Sequence, residues 1–420
     1  MILHYLDLDQ LTGSIDGEER QSSQPGSGGE PTIMTSAIAH AQNLIRCRSV
    51  TPSEGGALDY LEKELKAVGF TCHRLPFSER GTPDVDNLYA RIGDAAPHIC
   101  FAGHIDVVAP GDEKAWRHPP FAAEIDDQTL YGRGAVDMKG ALAAAMSATL
   151  LFLLESGGTP KGSISFLITA DEEGPAINGT KKAVDWLIAR GERPDYCILG
   201  ECTSEAAVGD TIKIGRRGSL SGELRLRGVQ GHVAYPHKAR NPLPRLIEVL
   251  DRLKSKKLDA GSTHFDPSNF EITSIDTGNQ TFNVIPATAT ARFNVRFNDH
   301  HTPDNLKAWI EDQVKAALAD TGVDYTLDYE PAAESFMTDA QDFVQKLSAA
   351  VEAETHREPI LSTGGGTSDA RFIKDLCPVV ELGLLNGTAH KVDECVSVAD
   401  LEALTRIYSR FLRAALVEPI

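Results

Sequence analysis

Positive charge is scarce in this chain. Lys and Arg number 41 against 60 Asp and Glu, a net charge of −19 at pH 7. No basic block is available to neutralise phosphates, which excludes a nucleic-acid surface. Any anionic substrate must be caught by a local group of arginines working against the overall field. Paired cysteines are lacking too. Cys47, Cys72, Cys100, Cys197, Cys202, Cys377 and Cys395 are odd in number and scattered, which reads as thiols in a reducing cytosol and not as a disulfide framework. The longest apolar run, Ala141 to Leu154, is too short to span a bilayer and is placed as a core helix. The first residues lack the basic start and long apolar core of a secretory signal, so a cytoplasmic location with no membrane partner is expected. No internal repeat is evident. What is there, 41% hydrophobic and 24% charged residues over 420 positions, is the make-up of an ordinary globular protein of two or three domains.

Residues 1–33 carry the polar run DGEERQSSQPGSGGEPT and little that could be buried, which predicts disorder, although MILHYLDLDQL is apolar enough to dock. Helical periodicity begins just after Met34, a candidate functional start. From there strands HICFAGHIDVV, SISFLITADEE and DYCILGE alternate with helices ALDYLEKELKAVGF, MKGALAAAMSATLLFLLES and TKKAVDWLIARG. Alternation of this kind predicts an α/β domain with a mostly parallel sheet and a ligand site beyond the carboxyl ends of its strands. Near Arg216 the texture changes to strand, helix, two strands, helix, strand, the ferredoxin-like order. Residues 216–331 are therefore read as an inserted α+β domain between two parts of a catalytic domain, 34–215 and 332–420.

Short motifs follow or end the predicted strands: GHIDVV, YGRGAVDMKG, TADEEG and LGEC, with GTAHKVDE near the C-terminus. They supply His104, Asp106, Asp137, Glu172, Glu173, Glu201 and His390. Histidines with carboxylates form a nitrogen-and-oxygen set that suits zinc better than magnesium or copper. There are more carboxylates than one zinc needs, so the chain can supply two metals and a catalytic base. Each motif alone is weak. His104 and Asp106, two apart at a strand end, project on one face; His104 is expected as a ligand and Asp106 as the carboxylate that fixes its tautomer. Asp137 precedes an Ala-rich helix and, by itself, is better read as its cap, since Asp is a preferred cap residue. Glu172 and Glu173, adjacent at the end of an extended strand, point differently, so one can bind metal while the other stays free. Glu201 ends a buried strand, where a carboxylate is costly unless something cationic meets it.

In this order, these motifs resemble the di-zinc aminoacylase and carboxypeptidase-like peptidase family, from about Met34 to the C-terminus. The strings GHIDVVAPGDEKAWRHPPF, GRRGSLSGELRLRGVQGHVAYPHKARNP, FNVIP and STGGGTSDARF carry the resemblance further. It implies a zinc-peptidase-like catalytic domain and a homodimer paired through the inserted domain. Asp137 would bridge two zinc ions, for which cobalt could substitute. His104 and Glu201 would complete one site, Glu173 and His390 the other, and Glu172 would be the general base. A cis peptide is implied after Asp137. His232, in GHVAYP, would serve the neighbouring subunit as an oxyanion donor; read alone it is a surface-loop histidine. Cys202 departs from the proline usual there, and its thiol is expected to face away. The substrate implied is N-succinyl-LL-2,6-diaminopimelate, whose carboxylates suit guanidinium forks. Arg217, Arg296 and Arg371 are the forks, with Ser219, Tyr235, Asn283 and the glycines Gly364, Gly365 and Gly366, although Arg296 could be a solvent-facing strand residue. The nearest alternative is a deacetylase acting on acetylornithine. A catalytically silent binding protein on the same fold would have lost a ligand or the base, and here none is missing.

Overall fold

The helical period after Met34 becomes the helix Ala37–Arg46, started by Ser36, whose side chain accepts the Ala39 amide. The computed structural model describes residues 35–417, so the expectation of disorder for residues 1–33 lies outside the described residues. The Ala-rich run becomes the helix Lys139–Glu155, apolar all round and buried from Lys139 to Leu150. Such a helix is stable only when enclosed, and it packs between Ala37–Arg46 and the C-terminal helix Val398–Leu416. Leu142, Leu150, Phe152 and Leu153 are almost wholly removed from water there. Burial of that kind contributes roughly 1.5–3 kcal/mol per side chain.

An eight-stranded sheet forms the larger layer. Its order is Thr71–Arg74, Leu88–Ile92, Ser163–Thr169, His98–His104, Tyr196–Leu199, Val379–Glu381, Thr211–Lys213, Ile360–Ser362. The centre is parallel: His98–His104 pairs in parallel with Ser163–Thr169 and with Tyr196–Leu199, which pairs in parallel with Val379–Glu381. The first pairings, from Thr71–Arg74 to Ser163–Thr169, are antiparallel. HICFAGH and SISFLIT are buried at every position, as strands covered on both faces must be.

A second, antiparallel sheet has the order Asn269–Asp276, Thr288–Phe297, Gly218–Arg227, Asp324–Tyr329. In chain order this is second, third, first, fourth, the arrangement expected from the strand and helix pattern. Alternation sends Leu220, Leu224 and Leu226 to one face, where they pack with Leu246, Val249 and Leu253 of the helix Leu243–Ser255 and Ile310 and Val314 of the helix Pro303–Leu318. This cluster is separate from the core of the large sheet. Where the chain passes to the second sheet and back, Gly215–Arg216 pairs with Phe336–Met337, so the outgoing and returning segments form one ribbon.

Candidate active site

His104 is the last residue of its strand and is buried. Its ring is held from both sides: Nδ1 lies 2.8 Å from the Asp106 carbonyl oxygen, and Nε2 lies 3.2 Å from Asp137 Oδ1. A carbonyl can only accept, so Nδ1 carries the proton and Nε2 is the atom left to a ligand role. The tautomer is thus fixed by the main chain of Asp106, not by its carboxylate as expected; Oδ1 stands 3.7 Å off. The carboxylate instead accepts the amides of Glu172, at 3.3 Å, and Glu173, at 3.0 Å. Burial pushes Asp106 up to about 6, against the pull of His104 and these amides.

Glu172 and Glu173 do not end an extended strand, as the sequence suggested. The strand stops at Thr169, and both acids lie in a turn. Asp171 shapes that turn by accepting the amides of Ile177 and Asn178 at 2.8 Å. Asp137 is not a helix cap either: the helix begins at Lys139, and the cap position is Met138, which makes no side-chain cap bond. The peptide between Asp137 and Met138 is cis, as the resemblance implied. Gly134, at φ +87°, makes the preceding turn possible; a Cβ there would press on Val107 and Lys139.

Asp137 stands between two imidazoles, with Oδ1 toward His104 and Oδ2 at 3.1 Å from His390 Nε2. Burial opposes its charge, but the bonds to His104 and His390 win and hold it below the usual carboxylate range. His390 Nε2 also lies 2.8 Å from Glu173 Oε1, and these two carboxylates raise His390 to about 10. One potential ligand atom from each of His104, Asp137 and Glu201 lies within 4.8 Å of the others. The same holds for Asp137, Glu173 and His390, and for His104, Glu172 and Glu173. Asp137 is therefore common to two groups with separate remaining members.

This arrangement fits divalent cations. Glu201 Oε1 is buried and meets no hydrogen-bond partner, a position that a cation would satisfy. Burial, then Glu172 and Asp137, drive the Glu201 carboxyl well above its usual range. Glu172 is pushed up to about 8, by burial first and then by Asp369, Glu173 and Asp137, with His104 opposing. A proton acceptor perturbed this way beside a cluster of ligand atoms has the character of a catalytic base.

Beside Glu201 opens a cavity of about 450 Å³, lined also by Lys213, Arg216, Asp266, Gly364, Gly365 and Thr367. Arg216 was not singled out in the sequence. Its guanidinium forms a fork on Glu381, with Nε at 2.8 Å, and donates to the Gly364 carbonyl at 3.1 Å. The paired arginines of GRRG are the signal for it in the sequence, where either Arg216 or Arg217 could face the cavity. Arg217 donates to Asn269 Oδ1 at 3.1 Å and leaves Nε without a partner. Ser219 sits opposite Arg296 in the adjoining strand and accepts from Asn294 at 3.0 Å. Arg296 is half-buried, with Nη1 unpartnered. Burial, then Arg217 and Arg216, lower its pKa, so it is no ordinary solvent-facing strand residue. Uncompensated guanidiniums of this kind are a demand for anions. Arg371, in the short helix Ala370–Ile373, rests over the Phe372 ring, with Nε unpartnered.

His232, Tyr235 and Asn283 lie elsewhere. Gly231–His232 pairs with Val284–Ile285, and the Val233 amide donates to the Asn283 carbonyl. His232 and Tyr235 are exposed, and His232 is not among the atoms that converge on Asp137. Cys202 is half-buried and lines the cavity beside Glu201, but its sulfur does not belong to the converging groups. Glu394, the last residue of the motif GTAHKVDE, is fully buried against the turn that carries Asp137. Among the described residues, no helix is long and apolar enough to cross a membrane.

Residues 100–414 match peptidase family M20/M25/M40. Among curated proteins, the chain is 55% identical over 388 residues to the succinyl-diaminopimelate desuccinylase of Rhodopseudomonas palustris (strain BisB18), covering 91% of this chain and 99% of that one. It is 57% identical over 375 residues to the enzyme of that name from Rhodospirillum centenum, covering 89% and 96%. Among solved structures, a tripeptidase from Staphylococcus aureus shares the fold with a TM-score of 0.74 at 18% identity, covering 91% of this chain and 98% of that one. A Bacillus subtilis protein described as a dinuclear metal-binding peptidase of the M20 family does so with a TM-score of 0.67 at 17% identity, covering 91% and 98%.

Proposed function

The chain belongs to peptidase family M20/M25/M40, and within it we propose that the chain hydrolyses N-succinyl-LL-2,6-diaminopimelate to succinate and LL-2,6-diaminopimelate, in the cytoplasm. The observation that carries the chemistry is the position of Asp137 between His104 with Glu201 on one side and His390 with Glu173 on the other. These residues would hold two zinc ions, with cobalt able to substitute. When bound, such a pair polarises the scissile carbonyl and acidifies a water.

The chain's own groups do the rest. Glu172 takes the proton of the attacking water, and its raised pKa suits it to pass that proton to the leaving amine. Asp106 fixes where Glu172 stands by accepting its amide. Arg217, Arg296 and Arg371, with Ser219, Tyr235, Asn283 and the loop Gly364–Gly366, receive the substrate's carboxylates; Lys213 adds positive charge beside that glycine loop, where Arg216 is already forked on Glu381. Residues 216–331 are the inserted domain through which two subunits pair, so that the partner subunit's His232 donates to the developing oxyanion. The relatives' shared name, at more than half identity over nearly their whole length, supports this substrate over acetylornithine.

The deciding experiment sets succinyl-diaminopimelate beside acetylornithine in a hydrolysis assay with zinc present. Preference for the succinylated amide is expected. Equal or greater turnover of acetylornithine would overturn the substrate, and no turnover of either by zinc-loaded protein would overturn the activity.

A further inference from the structure

Asp137 can serve two sites only if its oxygens keep two different directions, and the segment that carries it has little regular structure to hold it. Residues 132–138 form a turn between the strand Thr129–Tyr131 and the helix Lys139–Glu155. Three of their amides, those of Gly134, Val136 and Asp137, turn inward onto one carboxylate, while Arg133 N donates to the Pro120 carbonyl and Ala135 N to that of Gly132. The Glu394 carboxylate accepts Gly134 N at 3.0 Å on Oε2, and Val136 N at 3.0 Å and Asp137 N at 3.2 Å on Oε1. Arg133 Nη1 donates to Oε2 at 2.8 Å, and Gly132 N donates to the Glu394 main-chain carbonyl at 2.9 Å. Glu394 is completely buried and lies four positions after His390, whose carbonyl is 3.5 Å from Arg133 Nη2.

We propose that Glu394 is a positioning residue that sets the distance between the two metal sites. It ties the turn bearing the shared ligand Asp137 to the segment bearing His390, across 257 positions of sequence. The inference rests on the reading of Asp137 as a ligand common to both sites. Both oxygens of Glu394 accept, and both are needed: a carboxylate can face donors on either side at once, whereas a carboxamide cannot. In E394Q the amide group must oppose either the Gly134 and Arg133 donors or the Val136 and Asp137 donors. The turn then shifts, and the first casualty is the site that depends on Asp137 and His390 together. Loss of an outer partner of this kind typically weakens metal binding about 10–100-fold.

The test is zinc titrated into chelator-stripped full-length protein against a competing chromophoric chelator. Wild type should take up two equivalents. E394Q should bind one as wild type does and the other at least about tenfold more weakly, with kcat reduced far more than KM. If Glu394 matters only as the counter-charge of Arg133, removing both charges should restore the protein. R133M/E394Q should therefore keep the weakened zinc, and it replaces E394Q should the single variant not fold. Two wild-type affinities in either folded variant overturn the role of Glu394 while leaving the di-zinc reading intact. Fewer than two equivalents in wild type would sink that reading and this role with it. A measurement on the unaltered chain stands beside these. Amide exchange at Gly134, Val136 and Asp137 should stay slow after chelation, and rapid exchange there would show that Glu394 does not hold the turn ahead of the metal.

Discussion

The carboxylate of Asp106 and the amide of Glu173 meet at 3.0 Å although 67 positions separate them in the chain. With the Glu172 amide at 3.3 Å on the other oxygen, Asp106 is a cradle for the turn that carries both glutamates. Its carbonyl, meanwhile, orients the ring of His104. One residue thus orients the His104 ring through its main chain and holds Glu172 and Glu173 through its side chain.

That split makes a prediction. Asp106→Asn keeps the carbonyl but puts an amide group against one of two donors. We expect kcat to fall about 10–100-fold, the range for outer-partner changes, with zinc binding at His104 little altered. Zinc content and kcat measured together decide it. A variant short of zinc but normal per bound metal would contradict the division.

Glu172→Gln removes the proton acceptor and keeps the size. Hydrolysis should drop by roughly two to four powers of ten, the usual contribution of a general base. Two zinc equivalents should remain bound, since Asp137, Glu173 and His390 form a group without Glu172. Should the variant lose an equivalent, Glu172 would be a ligand and Glu173 the better candidate for the base.

The metal-free protein should lose stability as pH rises. Glu172 titrates at about 8 when folded, against 4.5 as its ordinary value, so between them the folded chain holds a proton that the unfolded chain has released. His390, raised to about 10, acts in the same direction above its ordinary 6.5. Melting temperature of chelated protein should fall from about pH 5 to about pH 8, and Glu172→Gln should flatten the lower part of that slope. A flat wild-type profile would rule the effect out.

Arg217→Lys should raise KM for the succinylated substrate, because an ammonium cannot reproduce a bidentate fork. Arg217 holds Asn269 through Nη1 only, so its Nε side remains for a carboxylate. An unchanged KM would remove Arg217 from substrate binding and leave Arg296 and Arg371 as the anion donors.

Glu172→Ala and His232→Ala chains should each be inactive alone. Mixed in equal amounts after mild dissociation, half the dimers carry one of each, and one site of every mixed dimer has neither change. About a quarter of all sites should then work. Continued inactivity with exchange demonstrated would mean that His232 does not act across the dimer.

Element types along the chain were legible because burial leaves a period behind. HICFAGH and SISFLIT read as doubly covered strands, and the alternation in SLSGELRLRG as a strand with one apolar face. The side chains that converge on Asp137 were legible as well, since each lies beyond a strand end or in a sharp turn. What escaped was direction. Whether Asp106 turned its carboxylate or its carbonyl to His104 depends on a turn that leaves no periodic trace. Between Arg216 and Arg217, only the ribbon of Gly215–Arg216 with Phe336–Met337 decides which guanidinium enters the cavity, and that ribbon joins segments some 120 positions apart. Glu394 was hidden because its partners are backbone amides, which every residue but proline possesses.

The large sheet also has a history written into its order. Val379–Glu381 is inserted between Tyr196–Leu199 and Thr211–Lys213. A ribosome releases these last two strands almost together, yet the strand that joins them emerges more than 160 positions later. Until then the sheet exists as two unjoined pieces, while the second sheet, whose strands and helices are contiguous in the chain, can already be complete. His104, Asp137 and Glu201 are all made by then, and His390 is not. During synthesis the chain therefore passes through a stage with every side chain of the converging groups except His390, an open sheet edge and no capacity for turnover, and it becomes an enzyme only with its closing residues.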